Sequence, residues 1–273
     1  MTITFDLAGK TVLVVGGTSG INRGIAECFA KQGARVAVAS RSQDKVDDTV
    51  ASLQQLGAEA LGFVADVRDQ AAIVAGIELV VAEFGCLDVL VSGAAGNFPA
   101  LATGMSANGF KSVVDIDLLG SFHVLQAAYP HLRKPGGSVI NISAPQAFLP
   151  MIGQSHVCAA KAGVDMLTRS LAMEWGPDGI RVNSVVPGPI AGTEGMARLA
   201  PNPKMLEMAR LSVPLKRLGT PEDVGHLVLF LASSLASYVT GAVIPADGGW
   251  SLGGASGLSG MMAAALMPES SSK

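Results

Sequence analysis

The sequence lacks an excess of basic residues, a dense set of cysteines and a long apolar segment. Its 273 residues carry a formal net charge of −3, so we expect no nucleic acid or anionic membrane partner. Three cysteines, Cys28, Cys86 and Cys158, lack metal-ligand spacing, which argues against zinc or any other metal and against a disulfide framework. The longest runs without acidic or basic residues, 138–160 and 227–246, are broken by Asn, Gln, Ser, Thr, Gly and Pro. A membrane span needs about 20 predominantly apolar residues, so no transmembrane helix is predicted.

The N-terminal stretch MTITFDLAGK also lacks the basic segment and apolar core of an export signal, so we expect a cytoplasmic protein. With 49% hydrophobic and 15% charged residues, the chain can bury a substantial core as one domain. We assign this domain to residues 1–252. The remaining stretch, 253–273, is rich in small residues and is predicted to be a C-terminal tail that is either mobile or docked on a neighbouring subunit. It ends in SSK, which differs from the peroxisomal SKL signal.

Short apolar runs alternate with longer segments of helical character along the chain. Strands are predicted at 11–16, 35–40, 60–66, 88–94, 137–143, 180–186 and 241–247. Helices are predicted at 24–32, 43–56, 70–84, 107–132, 156–175 and 221–231. This alternation favours an α/β fold of the Rossmann type, a doubly wound parallel sheet with helices on both faces and ligands at the carboxyl ends of the strands.

A glycine-rich turn, GGTSGINRG over 16–24, follows the first strand and precedes the first helix. Glycines let a backbone approach a pyrophosphate, and a helix N-terminus offers oriented N–H groups to it. Thr18 and Ser19 add hydroxyl donors. The turn in this context predicts a dinucleotide cofactor.

The ends of the second and third strands bear on which dinucleotide binds. Ser40 and Arg41 stand where an acidic residue would select NAD, and their hydroxyl and guanidinium suit the 2′-phosphate of NADP. Asp66, at the end of the third strand, is predicted to accept a hydrogen bond from the adenine amino group. We therefore expect NADP, in its reduced form NADPH, as the cofactor.

Several motifs in order now carry a family resemblance. The glycine turn, Asp66-Val67, SGAAG at 92–96, the lysine of HVCAAK, RVNSVVPGPI and YVTGAVIPADGG together resemble the short-chain dehydrogenase/reductase family over nearly the whole chain. The resemblance implies a seven-stranded sheet, a nicotinamide cofactor, a homotetramer and a mobile lid over the substrate within about 189–217. It also implies cofactor contacts at Gly16, Thr18, Ser19, Gly20, Ile21, Ser40, Arg41, Asp66, Val67, Ala94, Lys161, Pro187, Gly188 and Ile190.

The departures from this family pattern are informative. Where the family usually has asparagine, serine, tyrosine and lysine, this sequence has Asp117, Ala144, Val157 and Lys161. The chain contains only two tyrosines, Tyr129 and Tyr238, and neither segment is expected near the nicotinamide. Ketone reduction by the ordinary mechanism, in which the tyrosine donates a proton, is therefore disfavoured. A further departure is Asn22 in place of the third glycine of the turn, where its side chain needs room near the cofactor.

A narrower resemblance accounts for the missing tyrosine. SGAAGNF at 92–98, VVDIDLLGSFHV at 113–124, LAMEWGP at 171–177 and the segment 180–199 are similar to the 2,4-dienoyl-CoA reductases, especially their peroxisomal branch. That branch pairs an aspartate with the lysine and lacks the tyrosine. A dienoyl thioester takes hydride at the far end of its conjugated system and forms a dienolate, so no phenol has to protonate an alkoxide.

The resemblance selects Lys161 and Asp117 as the catalytic pair. Lys161 would contact the cofactor ribose and favour the developing anion, and Asp117 would be ionised and hold the lysine or its water, or would donate a proton if desolvation dominates. Gln146, Ser143 and His156 are candidate donors to the thioester oxygen, although His156 is equally suited to an ordinary buried position.

The lid segment, residues 189–217, supplies candidate substrate contacts. Its apolar side chains would either line an acyl tunnel or pack between helices; they are Met196, Leu199, Met205, Leu206 and Met208. Its cations either meet coenzyme A phosphates or form a solvated face; they are Arg198, Lys204 and Arg210.

The favoured function is NADPH-dependent reduction of an acyl-CoA thioester, a 2,4-dienoyl-CoA. The alternatives are an NADP-dependent carbonyl reductase with an atypical proton donor, acting on a 3-ketoacyl or similar substrate, and a non-catalytic NADP-binding regulatory protein.

Overall fold

Seven parallel strands form one sheet in the computed structural model, which describes residues 5–254, 256–257, 262 and 266. The strands are β1 Thr11–Val15, β2 Arg35–Ser40, β3 Ala60–Val64, β4 Val89–Ser92, β5 Ser138–Ile142, β6 Arg181–Pro187 and β7 Val243–Ala246. Their order across the sheet is β3-β2-β1-β4-β5-β6-β7. Each predicted run overlaps its strand and differs by at most two residues at either end. The predicted doubly wound sheet is confirmed.

Helices cover both faces of this sheet. They are α1 Gly20–Lys31, α2 Gln43–Gln55, α3 Gln70–Phe84, α4 Ala107–Val114, α5 Gly120–Ala128, α6 Ser155–Trp175, α7 Glu194–Leu199, α8 Pro203–Ser212 and α9 Pro221–Ala232. Side chains alternate along a strand, so Val12 and Val14 of β1 pack in one core with α1 and α9, while Leu13 and Val15 pack in a second core with α3 and α5. Both faces of the sheet are therefore buried, which is why the strands read as continuous apolar runs.

Two helix predictions were wrong in part, and two helices were not predicted. The helix predicted over 107–132 is divided into α4, a π-helical turn Asp115–Leu119 and α5, and it continues as a 3₁₀ turn, Tyr129–His131. The first helix starts at Gly20, four residues earlier than predicted, so Asn22 lies within α1. The lid segment contains two unpredicted helices, whose starts are capped: Thr193 Oγ1 accepts from Met196 N at 3.2 Å, and Asn202 Oδ1 from Met205 N at 2.9 Å.

All three cysteines are free thiols. Burial raises the pKa of Cys28 to about 11, so this thiol is protonated near neutral pH. In the part of the chain that the structure describes, no helix is long and apolar enough to cross a membrane. Within the same residues, no cluster of three or more His, Cys, Asp or Glu side chains is arranged to hold a metal ion.

Most of the predicted tail, 253–273, lies outside the described residues. Two of its apolar residues are described, Met262 and Leu266. Met262 is buried and packs against Met151, Val213 and Trp250 of the same chain.

Candidate active site

One cavity of about 590 Å³ opens at the carboxyl edge of the sheet, where parallel strands present their ends to a ligand. All the residues predicted to contact the cofactor, and both members of the predicted catalytic pair, line this cavity. These residues are Gly16, Thr18, Ser19, Gly20, Ile21, Ser40, Arg41, Asp66, Val67, Ala94, Asp117, Lys161, Pro187, Gly188 and Ile190. The sequence motifs, which are widely separated along the chain, therefore meet in one place.

The glycine turn leaves the start of α1 open toward this cavity. Ser19 is the N-cap residue, but among the described residues its side chain makes no capping hydrogen bond. The first N–H groups of α1 are thus available to an anion. Gly16 has φ +79°, and a Cβ there would lie 2.9 Å from Ala94 N, so only glycine fits this close approach. The turn has the form of a pyrophosphate cradle.

The backbone of Asn22 does not adopt the left-handed conformation that glycine favours. Asn22 lies in α1, and its Nδ2 donates to Gly93 O at 2.7 Å. Gly93 accommodates this contact because a Cβ there would lie 2.4 Å from the amide of Asn22. The amide therefore ties the start of α1 to the loop after β4, and the side chain finds its room against Gly93.

The end of β2 forms the polar end of the cavity. Ser40 Oγ is buried and has no hydrogen-bond partner among the described residues, and Arg41 beside it is exposed at the cavity wall. Lys45 of α2 also lines the cavity and lies 3.7 Å from Glu194 of α7. Lys45 was not predicted from the sequence, although its position in the first turn of the helix that follows Arg41 indicates that it lies close to the same ligand. A hydroxyl and two cations therefore meet at this end.

Asp66 has a partner of its own within the chain. Arg68 donates to its Oδ2 from Nη2 at 2.6 Å and to its Oδ1 from Nε at 3.0 Å. These hydrogen bonds lower the pKa of Asp66 to about 2, so the carboxylate is ionised at neutral pH. It can accept a further hydrogen bond from a ligand through its remaining lone pairs.

The centre of the cavity holds a buried ion pair. Lys161 Nζ of α6 lies 3.3 Å from Asp117 Oδ2, and the two side chains are 6% and 1% exposed. Lys161 also donates to Ile142 O at 3.1 Å, and Asp117 Oδ1 accepts from Gly96 N at 2.6 Å. Burying two charges is costly without such partners, so the pair is held in a fixed geometry by β5 and the loop after β4.

Asp117, and not Asp115, meets the lysine, because residues two apart in a helical turn point in different directions. Asp115 points to the surface, where it pairs with Lys111. Asp117 lies in the same turn but is buried, and its backbone oxygen accepts from Ser121 Oγ at 2.6 Å. A π turn changes the register of a helix and is often found at functional sites.

No tyrosine reaches the cavity, and both tyrosines of the chain lie in the described part. Tyr129 OH donates to Asp178 Oδ2 at 2.5 Å, and Tyr238 is fully exposed. Val157 stands at the cavity wall with 3% exposure and packs with Val113 and Ala160. The cavity wall beside Lys161 is therefore apolar at the position where the family usually has the tyrosine.

The three candidate oxygen donors are in different environments. Gln146 and Ser143 line the cavity. His156 is absent from the cavity lining within residues 5–254; it is fully buried and its ring lies 4.5 Å from that of Phe98. Burial lowers the pKa of His156, which keeps the imidazole neutral. Gln146 and Ser143 therefore remain candidates, whereas His156 is buried outside the cavity lining, and its two ring nitrogens have no hydrogen-bond partner among the described residues.

The lid segment contributes some of its apolar residues to the cavity. Met196 and Leu199 line it, together with Trp250, which sequence analysis missed. Met205 packs inside the segment, and Leu206 and Met208 are 40% and 42% exposed. Helix packing thus accounts for Met205, and only Met196 and Leu199 of the predicted residues belong to the cavity wall.

The lid cations divide in the same way. Arg198 lines the cavity, and its Nη1 donates to Asn97 O at 2.7 Å. Arg210 pairs with Glu207 on the outside of α8, at 2.6 Å. Lys204 is an exposed residue at the start of α8.

Sequence comparison shows what the chain is similar to. The family profile described as enoyl-(acyl carrier protein) reductase matches residues 15–251. The peroxisomal 2,4-dienoyl-CoA reductase [(3E)-enoyl-CoA-producing] of Rattus norvegicus is 44% identical over 245 residues, which cover 89% of this chain and 84% of the relative. A probable 2,4-dienoyl-CoA reductase [(2E)-enoyl-CoA-producing] of Bacillus subtilis is 41% identical over 243 residues, 88% of this chain and 96% of the relative.

The fold is also similar to that of a solved structure. The crystal structure of a putative short-chain alcohol dehydrogenase from Sinorhizobium meliloti matches with a TM-score of 0.85 and 31% identity, covering 92% of this chain and 100% of that one.

Proposed function

This chain belongs to the short-chain dehydrogenase/reductase family, and we propose that it catalyses the NADPH-dependent reduction of a 2,4-dienoyl-CoA thioester. The observation that carries the proposal is the wall beside Lys161. A buried Lys161–Asp117 pair faces the cavity, and Val157 takes the position of the family tyrosine. Relatives named 2,4-dienoyl-CoA reductases, at 41% and 44% identity, support the same substrate class.

The apolar wall suits this reaction because of where the proton must go. Ketone reduction leaves an alkoxide that needs a donor beside the oxygen, whereas dienoyl reduction spreads charge to the thioester oxygen and protonates a carbon. Val157, with its small side chain, leaves room for a flat acyl chain against α6. Met196, Leu199 and Trp250 continue the apolar surface.

The residues that line the rest of the cavity fit a nicotinamide cofactor, as family membership implies. The open N-terminus of α1 and the close approach at Gly16 suit a pyrophosphate. The unpartnered Ser40 hydroxyl, with Arg41 and Lys45, suits the 2′-phosphate that distinguishes NADP from NAD. When bound there, NADPH supplies the hydride for the reduction.

The side chains at the centre have separable roles. The ammonium of Lys161 favours the negative charge that develops on the substrate, because it lies in a site from which bulk water is largely excluded. Asp117 holds the Lys161 ammonium in place beside the cavity, and holds the water that carries a proton to the carbon next to the carbonyl. Gln146 and Ser143 donate to the thioester oxygen. Arg198, at the cavity mouth, contacts coenzyme A phosphates.

The wider organisation follows the family. We assign residues 1–252 to the catalytic domain, with the lid segment closing over the substrate, and 253–273 to the tail. A cytoplasmic homotetramer is the proposed form, although the peroxisomal name of the rat relative makes an organelle the alternative location. Exposed apolar side chains on neighbouring helices support an assembly; they are Phe110, Phe122 and Met166.

The proposal is tested with two substrates and one cofactor. Purified protein is mixed with NADPH and either a 2,4-dienoyl-CoA or a 3-ketoacyl-CoA of the same length, and NADPH oxidation is followed by absorbance. We expect turnover with the diene and little with the ketone. Efficient ketone reduction without diene reduction would favour the carbonyl reductase alternative.

Binding of NADPH is measured separately by calorimetry. Tight binding with no turnover of either substrate, or of other conjugated enoyl thioesters, would favour the regulatory alternative and contradict the proposal.

A further inference from the structure

The apolar end of the cavity is closed by residues from three distant parts of the chain. Leu199 of the lid segment and Trp250, which follows β7, line the cavity. Both belong to an apolar cluster with Met151, Val213 and Met262. The two lining residues are thus the inner surface of a wall, and Met262 is part of the layer that supports it.

Met262 comes from the C-terminal stretch beyond the last strand. Its side chain is 5% exposed although it follows a glycine- and serine-rich segment, so the contact with the wall removes it from solvent. Leu266 reaches the same region, since its Cδ1 lies 2.7 Å from the position that a Cβ on Gly153 would take. Two apolar residues of this stretch therefore pack on the chain that carries them.

Trp250 is fixed from the other direction by the lid segment. Its Nε1 donates to Ser212 Oγ at 3.0 Å, and Ser212 is the last residue of α8. The indole is 3% exposed. Its position therefore depends on one hydrogen bond to the lid and on the apolar packing to which Met262 contributes.

We propose that Met262 is a positioning residue that holds Trp250 as the end wall of the acyl slot, so that the C-terminal stretch limits the length of the acyl chain. This inference rests on the proposed acyl thioester substrate. A wall that loses its support can move away from the cavity, which lengthens the slot without changing the Lys161–Asp117 pair. The expected signature is a change in chain-length preference.

The test compares a short and a long substrate, hexa-2,4-dienoyl-CoA and dodeca-2,4-dienoyl-CoA. Met262→Ala should raise the ratio of kcat/KM for the long substrate to that for the short one by about tenfold. Each methylene that gains an apolar site is worth roughly fourfold in kcat/KM, so this change corresponds to between one and two methylenes. The gain should appear mainly in KM. Met262→Leu, which restores bulk, should return the ratio to near the wild-type value.

The matched control is Met173→Ala, which removes the same side chain from an exposed site on α6, 82% accessible to solvent. Its ratio should not change. Trp250→Phe shortens the wall directly and should shift the ratio in the same direction. If Met262 acts through Trp250, Met262→Ala in the Trp250→Phe background should add much less than it does alone. Full additivity would overturn the positioning role.

Calorimetry with the saturated analogues hexanoyl-CoA and dodecanoyl-CoA separates this inference from the proposed function. The inference alone would be overturned if the wild type reduces dienes but Met262→Ala changes neither the kcat/KM ratio of the two dienes nor the affinity ratio of the two saturated analogues. A wild type inactive toward dienes, with Met262→Ala still favouring dodecanoyl-CoA, would contradict the function but support the wall. If Met262→Ala does not fold, Met262→Val should give a smaller shift of the same sign, and no shift would count against the proposal.

Discussion

Asp117→Asn isolates the charge of the buried aspartate from its shape. Asparagine keeps an oxygen that can accept from Gly96 N, which now donates at 2.6 Å to Oδ1, so the loop after β4 should stay in place. What is lost is the negative charge 3.3 Å from Lys161 Nζ. The variant should therefore bind NADPH normally and lose mainly kcat with a dienoyl-CoA.

The magnitude follows from the burial of the pair. Removing one partner of a buried ion pair costs about 3–5 kcal/mol, because the other charge is left without compensation. Lys161 keeps the Ile142 carbonyl at 3.1 Å, so we expect the loss of folding stability to lie at or below the lower end of that range. Loss of a positioned proton-transfer group lowers kcat by about 10²–10⁴-fold, and a hundredfold loss corresponds to about 2.7 kcal/mol.

The assay measures kcat and KM for diene reduction, NADPH affinity by calorimetry, and stability by urea unfolding. Asp115→Asn is the matched control, since its carboxylate lies in the same π turn but pairs with Lys111 at the surface. That control should leave all three quantities nearly unchanged. Lys161→Ala should weaken both turnover and NADPH binding. Unchanged turnover in Asp117→Asn would remove the aspartate from the mechanism, and a fully active Lys161→Ala enzyme would refute the scheme.

Three further outcomes are expected. Val157→Tyr should slow diene reduction, since overpacking a filled site typically costs about 1–3 kcal/mol, and should create some 3-ketoacyl-CoA reduction; faster diene reduction would contradict the apolar slot. Arg41→Ala should reduce the preference for NADPH over NADH in calorimetric titrations, by roughly 1–3 kcal/mol for a charge-assisted contact, and an unchanged preference would remove Arg41 from the phosphate site. Burial lowers the pKa of His156 below 6.5, so below that pH the unfolded chain binds a proton that the folded chain does not. The free energy of unfolding in urea should therefore fall as the pH drops below 6.5. His156→Gln should lose part of this pH dependence, and a pH dependence of stability identical to that of the wild type would contradict the prediction.

The sheet could be predicted from the sequence because its strands are buried on both faces. Val12 to Val15 alternate between two cores, so each side chain in the run is apolar and the run is easy to recognise. Helix boundaries were harder. Nothing in the spacing of 107–132 signals a π turn, and the capped starts of α7 and α8 were hard to recognise in the polar, methionine-rich lid segment.

The site could be predicted where a motif fixes both residue type and location. Lys161 and the glycine turn are of this kind, and the family resemblance supplied the register that chose Asp117 over Asp115. Trp250 and Lys45 were missed because their places in the cavity depend on tertiary contacts, to Ser212 in one case and across to α7 in the other. His156 was an ambiguous candidate because position along α6 does not reveal which neighbours surround an imidazole.

The most direct test of the central claim, that this enzyme reduces a carbon–carbon bond without a phenolic proton donor, follows the transferred hydrogen. A 2,4-dienoyl-CoA is reduced once in ordinary water with NADPH carrying deuterium at both positions of nicotinamide C4, and once in deuterium oxide with unlabelled NADPH. A 3-ketoacyl-CoA is treated in parallel, and the products are examined by NMR. We expect deuterium from the labelled cofactor on the carbon at the far end of the diene, and one deuterium from the deuterated solvent on the carbon next to the thioester carbonyl. A diene returned unlabelled from both reactions, with deuterium from the labelled cofactor on the alcohol carbon formed from the 3-ketoacyl-CoA, would contradict this claim.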